Sequence, residues 1–352
     1  MGQKLSYEEL EQKILALQQE VNTLKQGKSP QEASPQKKPP QKKKEKINIP
    51  VKPSTVLKKH NQKSPPGTPL NGRALKLKLL GTLKDLPAMS QVLTQAQRVM
   101  ADHRSSLKDL ANIMKTDPAI VTKALRIANS AYYGMRGEVS SIEHCSVMLG
   151  HKGFGELVTM SAASRFLSKK LKGYGVEAGV LWQHSLAVAF GARIIANRTT
   201  PALANDAFIA GIIHDVGKII LDKPIFERKS EFEALMADWA LTFLEAEKEI
   251  LGFNHVEIAY AMCKRWHFPP GITLPIKYHH SPSLSGGNKL AYIIHVANAI
   301  ALMSDVEADD DMDMWDLLDD SAAEFLGLHH EDVSDIMTKV VKSVEEVKLK
   351  YT

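Results

Sequence analysis

Helix start and stop signals recur from about residue 75 onward, and they constrain the fold more than any other feature of the chain. Ser106 and Asp109 form a capping box. Asp117 is an N-cap followed by proline, and the helix that it opens is expected to close near Gly134. No segment alternates polar and apolar residues as a strand does, and no glycine-rich phosphate loop is present. The sequence therefore predicts an all-α domain.

Residues 1–26 carry a heptad pattern instead. Two of the three a positions are β-branched and every d position is leucine, in the series Tyr7, Leu10, Ile14, Leu17, Val21 and Leu24. This combination favours a parallel two-stranded coiled coil. Because three heptads are marginal alone, we expect at most a weak homodimer. A single solvated amphipathic helix is the alternative.

Residues 27–74 read as a disordered linker. They are rich in Pro, Gln, Ser and Lys and poor in large apolar residues, so they cannot bury enough surface to offset the entropy of ordering. Between Lys25 and Lys78 only Glu32 and Glu45 are acidic, although the whole chain has a net charge of +5. A solubilising spacer is the simplest interpretation, and electrostatic contact with nucleic acid or an acidic surface is the alternative.

The remaining composition is that of an ordinary globular protein. Hydrophobic residues make up 44% and charged residues 24%, and no run of 18 apolar residues is long enough to span a membrane. The first residues lack the apolar core of a secretory signal, and the two cysteines form no metal or redox spacing. We expect a cytoplasmic protein without a membrane segment.

Seven of the thirteen histidines lie between His184 and His295. His214 and Asp215 end an apolar run, where a buried imidazole and carboxylate are costly unless a bound cation satisfies both. Asp215 could bridge two ions there, and the adjacent pair His279–His280 suits ligation. A histidine taken alone is more often a satisfied core or surface residue than a metal ligand.

The charge of this series argues against tight binding. Asp215 is the only carboxylate in the set, and Asn298 offers a carbonyl dipole rather than a charge. One weakly held divalent ion, or none, therefore fits better than two. If the centre were catalytic, the metal would activate water, and Lys218 would stabilise the charge that develops on a phosphate.

The order of these residues resembles the HD superfamily of metal-dependent phosphohydrolases. More narrowly, residues 80–345 resemble the HDOD domain, the HD-related output domain of bacterial signalling proteins. The segments that match are "LPAMSQVL", "DPAIVTKALRIANSAYYG", "SSIEHCSVMLG", "HDVGK", "NHVEIAYAMCKRWHFPP" and "YHHSP". The resemblance implies a two-lobed all-helical domain over 75–345, with an N-terminal helical lobe at 75–170 and an HD-like lobe at 171–345. Members of this family are regarded as regulatory modules.

The related cyclic di-GMP phosphodiesterases of the HD-GYP type imply a metal-ligand set. Their ligand pattern carries over onto His184, His214, Asp215, His255, His279 and His280. The ion expected in such a set is iron, manganese or zinc. Two departures stand out, because Asn298 occupies the position of their last aspartate and their GYP-containing segment is absent. Cyclic di-GMP hydrolysis is therefore not expected.

These observations favour a bacterial signal-transduction module that binds a protein partner. A variant of this hypothesis adds a small nucleotide as a second ligand of the same module. A metal-dependent phosphohydrolase acting on a nucleotide or other phosphoester is the alternative. In a third hypothesis the basic linker tethers the protein to nucleic acid. Fold-level analogy supports much of the first interpretation.

Overall fold

The structure is a computed structural model that describes residues 72–82, 92, 95–96, 98–100, 102, 104–135, 137–239, 241–305 and 320–348. All of these belong to one compact unit, residues 49–352. The predicted coiled coil and the predicted linker, apart from the last three residues of the linker, lie outside the described residues.

Four α-helices come first along the described chain. They are α1 (Gly72–Thr82), α2 (Leu107–Lys115), α3 (Pro118–Ala128) and α4 (Ile142–Leu167), the last of which kinks at Gly150. Helices α2 and α3 both pack along α4. Phe154 of α4 is fully buried in this layer. These helices form the N-terminal part of the hydrophobic core.

The histidine series lies on and between the helices that follow. They are α5 (Val180–Thr199), α6 (Ala204–Ile213), α7 (Gly217–Glu227), α8 (Lys229–Trp239), α9 (Phe243–Leu251), α10 (His255–Arg265), α11 (Pro270–Tyr278), α12 (Lys289–Asp305), α13 (Asp320–Phe325) and α14 (His330–Lys348). Helix α5 lies at the centre, in contact with α6, α12 and α14. Its residue Phe190 packs against Phe208 of α6, and both rings are fully buried.

The prediction of an all-α fold is confirmed. The residues that the structure describes contain no β-strand, and their extended pairing is limited to an isolated bridge between Leu171 and Val176. None of the helices in this part of the chain is long and apolar enough to cross a membrane.

Local signals predicted helix starts better than helix ends. The capping box of Ser106 and Asp109 is present at the start of α2. The Asp117 side chain caps α3 as predicted, but α3 ends at Ala128 and not near Gly134. The Asn129 amide explains the early end, because it donates to the carbonyls of Leu125 and Val139, at 2.9 and 2.8 Å. The backbone is thereby drawn away from the helix axis.

Candidate metal centre

The structure brings the six predicted ligand residues together from four places in the chain. His184 lies within α5, and His214 and Asp215 form a tight turn between α6 and α7. The other three are His255, the first residue of α10, and His279 and His280, which directly follow α11. All six are buried except His280, which is half-buried. His214 therefore lies just after α6, at the end of the apolar run.

A close contact of backbones positions Asp215 beside His255. Gly217, the first residue of α7, packs directly on the His255 carbonyl, and a Cβ at position 217 would overlap that oxygen. Glycine is therefore required for α7 and α10 to approach this closely. The "HDVGK" motif therefore supplies the Asp215 carboxylate, and its glycine allows that carboxylate to lie against α10.

The two carboxylate oxygens of Asp215 face different imidazoles. Oδ1 lies 3.2 Å from His255 Nε2 and 3.8 Å from His279 Nε2. Oδ2 lies 3.4 Å from His214 Nε2 and 3.8 Å from His184 Nε2. Asp215 is thereby shared by two sets of candidate ligands. We name them the His255 group (Asp215, His255, His279, His280) and the His184 group (His184, His214, Asp215).

The spacing within each group fits a metal ion. The ligand atoms of a group all lie within 4.8 Å of one another. With metal–nitrogen distances of about 2.0–2.1 Å, two ligands of one ion are separated by at most about 4.2 Å. Small side-chain movements would therefore bring either group into coordination distance.

Hydrogen bonds on the far side of two rings fix which nitrogen faces the centre. Nδ1 of His214 donates to the Gly211 carbonyl and Nδ1 of His279 donates to the Ile276 carbonyl, each at 2.8 Å. Because a carbonyl only accepts, Nδ1 carries a proton in both rings, and in the neutral imidazole Nε2 then presents a lone pair. Both Nε2 atoms are buried and have no hydrogen-bond partner among the described residues. Unsatisfied buried acceptors are costly, and a cation would satisfy them.

His255 is held by a carboxylate that sequence reasoning missed. Glu247 of α9 is fully buried, and its Oε2 accepts from the His255 backbone N–H at 2.7 Å and from Nδ1 at 2.8 Å. Tyr174 donates to Glu247 Oε1 at 2.6 Å. Asp215 is the only carboxylate in the two ligand groups. Glu247 adds a second negative group behind them, hydrogen-bonded to the ring nitrogen of His255 that faces away from Asp215.

A sequence signal for Glu247 exists. Phe243, Glu247 and Leu251 are spaced four residues apart, so they share one face of α9, and both neighbours of the glutamate are large apolar residues. A carboxylate on an apolar face needs a buried partner. Tyr174 lies in a loop and has no comparable signal.

Electrostatics separates the histidines into two kinds. Burial alone would lower the pKa of His255, but the Glu247 and Asp215 carboxylates raise it to about 9. Burial lowers the pKa of His184 to about 3. Burial likewise holds the pKa values of His279 and His280 well below their usual range. In the metal-free protein the proton therefore resides on His255.

The same environment keeps Asp215 ionised. Burial would raise the pKa of its carboxyl group, but His214 and Lys218 hold the value well below its usual range. Lys218 forms an ion pair with Oδ2 of Asp215 and keeps about a quarter of its side chain exposed. The candidate catalytic lysine thus lies on the solvent side of the centre.

Asn298 lies beside the His184 group. It projects from α12, is 7% exposed, and hydrogen-bonds through its side chain to His184. The residue that replaces the expected aspartate therefore contacts the candidate ligands. Its amide leaves the His184 group with one shared carboxylate oxygen and no second carboxylate.

One known family matches more than half of this chain. The HDOD domain family profile matches residues 86–282. The matched span contains all six histidine and aspartate candidates and ends before Asn298. A curated relative from Treponema pallidum, "Uncharacterized protein", is 24% identical over 200 residues, which are 56% of this chain and 38% of that protein. The chain thus spans well under half of the length of that relative.

Solved structures with the same fold come from several bacteria. A "Putative phosphohydrolase" from Shewanella amazonensis has a TM-score of 0.62 at 25% identity, covering 78% of this chain and 98% of that one. A "Putative signal transduction protein" from Marinobacter aquaeolei has a TM-score of 0.60 at 20% identity, covering 80% and 66%. An "HDOD domain protein with unknown function" from Geobacter sulfurreducens has a TM-score of 0.59 at 21% identity, covering 79% and 97%.

Proposed function

This chain belongs to the HDOD domain family, and from that premise we propose that it is a signal-transduction module that holds a divalent transition-metal ion. The module would bind a protein partner, and the ion would occupy the His255 group. The N-terminal heptads would set a weak dimer, and the basic linker would contact an acidic surface or nucleic acid. The proposed compartment is the cytoplasm.

One observation carries the metal part of this proposal. Buried lone pairs of His214 and His279 point at an ionised aspartate, and no donor among the described residues satisfies them. A core designed only for packing would place apolar side chains there, because unpaired buried polar atoms are destabilising. The arrangement is typical of a site that is completed by a cation.

The ligand set favours iron, manganese or zinc, and one ion over two. Imidazole suits all three metals, whereas magnesium and calcium prefer sites made of oxygen ligands. The His255 group offers three imidazoles and a carboxylate oxygen, and Glu247 orients one of the imidazoles. The His184 group shares its single carboxylate with the other group, so a second dication there would be poorly neutralised. We expect modest affinity.

A phosphohydrolase is the second candidate function, and the solvent exposure of two side chains favours it. Lys218 and His280 are the members of the centre that reach solvent, the lysine with about a quarter of its side chain exposed. A bound divalent ion would supply Lewis acidity toward a phosphoryl oxygen. Lys218 could leave Asp215 to pair with a phosphate, and His280 would line the entrance. Asn298 and the absence of a GYP-containing segment argue against cyclic di-GMP as the substrate.

The first experiment measures the metal content of tag-free protein for wild type, Asp215→Ala and the control Asp206→Ala. Asp206 is a half-buried aspartate on α6 outside both ligand groups. We expect about one iron, manganese or zinc ion per chain in wild type and the control, and none in Asp215→Ala, because that change removes the carboxylate shared by both groups.

The same proteins separate the two candidate functions. Circular dichroism establishes that Asp215→Ala is folded, and a phosphoester screen is run on metal-loaded samples. Metal without turnover favours the signalling module. Turnover in wild type that is lost in Asp215→Ala would replace the signalling proposal by the phosphohydrolase. If folded wild type binds none of the three metals, the metal part of the proposal is wrong.

A further inference from the structure

The loop between α4 and α5, residues 168–179, closes on itself and here is named the connector. Leu171 and Val176 exchange both backbone hydrogen bonds at 2.9 Å, and the Gly179 N–H donates to the Ser168 carbonyl at 3.0 Å. The connector joins the last helix of the N-terminal part to the helix that carries His184. The connector is therefore a compact element. Hydrogen exchange of its Leu171 and Val176 amides reports whether it is closed.

The connector is anchored on α7, the helix that begins two residues after Asp215. The Gly173 N–H donates to Asp222 Oδ1 at 2.7 Å. A Cβ at position 173 would overlap the Asp222 carbonyl, so the backbone of the connector lies directly on α7. This contact fixes the tip of the connector against the helix that follows the "HD" pair.

A second anchor runs through Tyr174 to α9. The ring of Tyr174 stacks on Phe243 with centroids 5.0 Å apart, and its hydroxyl donates to Glu247. Tyr174 is 6% exposed and Glu247 is fully buried. Since a buried carboxylate must have its lone pairs satisfied, this hydroxyl is one of the groups that define where Glu247 sits.

Glu247 connects Tyr174 to a candidate metal ligand, His255. Its Oε1 lies 2.6 Å from the Tyr174 hydroxyl and 3.0 Å from His255 Nδ1, so the tyrosine and the imidazole share one oxygen. The other ring nitrogen, His255 Nε2, lies 3.2 Å from Asp215 Oδ1 within the His255 group. A contiguous series of contacts thus runs from the connector to the proposed metal position.

We propose that Tyr174 is a positioning residue of the metal centre and that the connector senses whether the centre holds a metal ion. This inference rests on the proposed metal site. An ion bound at Nε2 restrains the His255 ring, the ring restrains Glu247, and Glu247 restrains Tyr174 and the closed connector. By linkage the effect is reciprocal, so loosening Tyr174 weakens metal binding by the same factor that metal tightens the connector.

The test uses Co²⁺ alone as the probe and the full-length chain. Dissociation constants are measured for wild type, Tyr174→Phe and Glu247→Gln by visible absorption of the bound ion, after circular dichroism establishes folding. Tyr133→Phe is the matched control, because its buried hydroxyl has no hydrogen-bond partner among the described residues. Backbone hydrogen exchange at Leu171 and Val176 is followed with and without Co²⁺.

We expect Glu247→Gln to weaken Co²⁺ binding by roughly 10–100-fold, as other losses of an outer-shell partner do. Tyr174→Phe should weaken it by about 5-fold, at the lower end of measured couplings. Co²⁺ should slow exchange at the two connector amides in wild type and in Tyr133→Phe, and not in Tyr174→Phe. If Glu247→Gln does not fold, Tyr174→Phe alone carries the test.

Two outcomes would overturn the inference in distinguishable ways. If Tyr174→Phe binds Co²⁺ as wild type does and keeps the slowed exchange, Tyr174 only packs the connector, and the proposed metal site still stands. If folded wild type binds neither Co²⁺ nor the three candidate metals, both this inference and the proposed metal site are wrong.

Discussion

The two ligand groups that share Asp215 contain similar side chains and differ in what surrounds them. In the His255 group an imidazole is backed by the fully buried Glu247, which raises the pKa of His255 to about 9. In the His184 group the corresponding neighbour is the Asn298 amide, which carries no charge, and burial lowers the pKa of His184 to about 3. The His255 group therefore has a second carboxylate, Glu247, beside its ligands, whereas the His184 group has only the shared Asp215.

Ligand identity alone therefore does not define a metal site. Both groups offer converging nitrogens within 4.8 Å, so geometry does not separate them. Desolvating a dication is costly, and only nearby negative charge offsets that cost. Lys218 adds a positive charge on the Oδ2 side of Asp215, which faces the His184 group. We therefore rank the His255 group first for occupancy.

Replacing one histidine in each group should give the largest contrast. His255→Gln should weaken Mn²⁺ or Zn²⁺ binding by more than about 100-fold, since the loss of a ligand should cost more than the roughly 10–100-fold that the loss of an outer-shell partner costs. His184→Gln should weaken the first ion by less than about tenfold, because it lies in the other group. Isothermal titration with chelator-treated protein measures both constants.

Glutamine is the appropriate replacement because it keeps a donor for Glu247 and avoids an unpaired buried carboxylate. His267→Gln serves as the control, since His267 is an exposed histidine outside the centre. Equal losses for His255→Gln and His184→Gln would show that the two groups bind one ion jointly, and the ranking of the groups would be wrong.

Much of this site was predictable because its ligands follow helix-bounded motifs. Periodic apolar residues indicated helices, and the order of His184, His214–Asp215, His255 and His279–His280 indicated the centre that the structure assembles. The sequence also identified Asn298 as the departure, and the structure places its side chain against His184. Local patterns are informative where residues close in sequence decide the geometry.

The rest depends on contacts between distant segments. Tyr174 precedes Glu247 by 73 residues and belongs to a loop with no periodicity. The early end of α3 depends on Asn129 reaching Val139, which no helix propensity encodes. Glu247 could have been suspected from its apolar face on α9, but not its bond to His255. Tertiary hydrogen bonds of this kind are outside the reach of single-sequence patterns.

The pH dependence of stability in metal-free protein should separate the two groups next. His255 has a folded pKa of about 9 above its usual 6.5, so the stability that it contributes is complete below pH 6.5 and is lost between pH 6.5 and 9. His184 has a folded pKa of about 3, so its contribution is lost as pH falls from 6.5 toward 3. Stability should peak near pH 6.5.

Urea unfolding at pH 5, 6.5 and 9 measures these two losses. We expect the loss of unfolding free energy toward pH 9 to be about 2 kcal/mol, within the limit set by about 1.4 kcal/mol per pKa unit. The loss should largely disappear in His255→Gln and persist in His184→Gln. An alkaline loss of the same size in His255→Gln would assign it to another group.

Asn298→Asp should give the smallest effect and sharpen the comparison most directly. The new carboxylate would lie against His184 and give the His184 group the negative charge that it lacks. We expect a second Mn²⁺ to bind roughly tenfold more tightly, with the gain limited by the cost of burying the charge. The first ion should be little affected, because the His255 group gains no ligand. Titration calorimetry resolves the two steps, and Asn254→Asp, at the half-buried N-cap of α10, controls for a charge added outside the His184 group. An unchanged second constant would mean that geometry, and not charge, keeps the His184 group from binding.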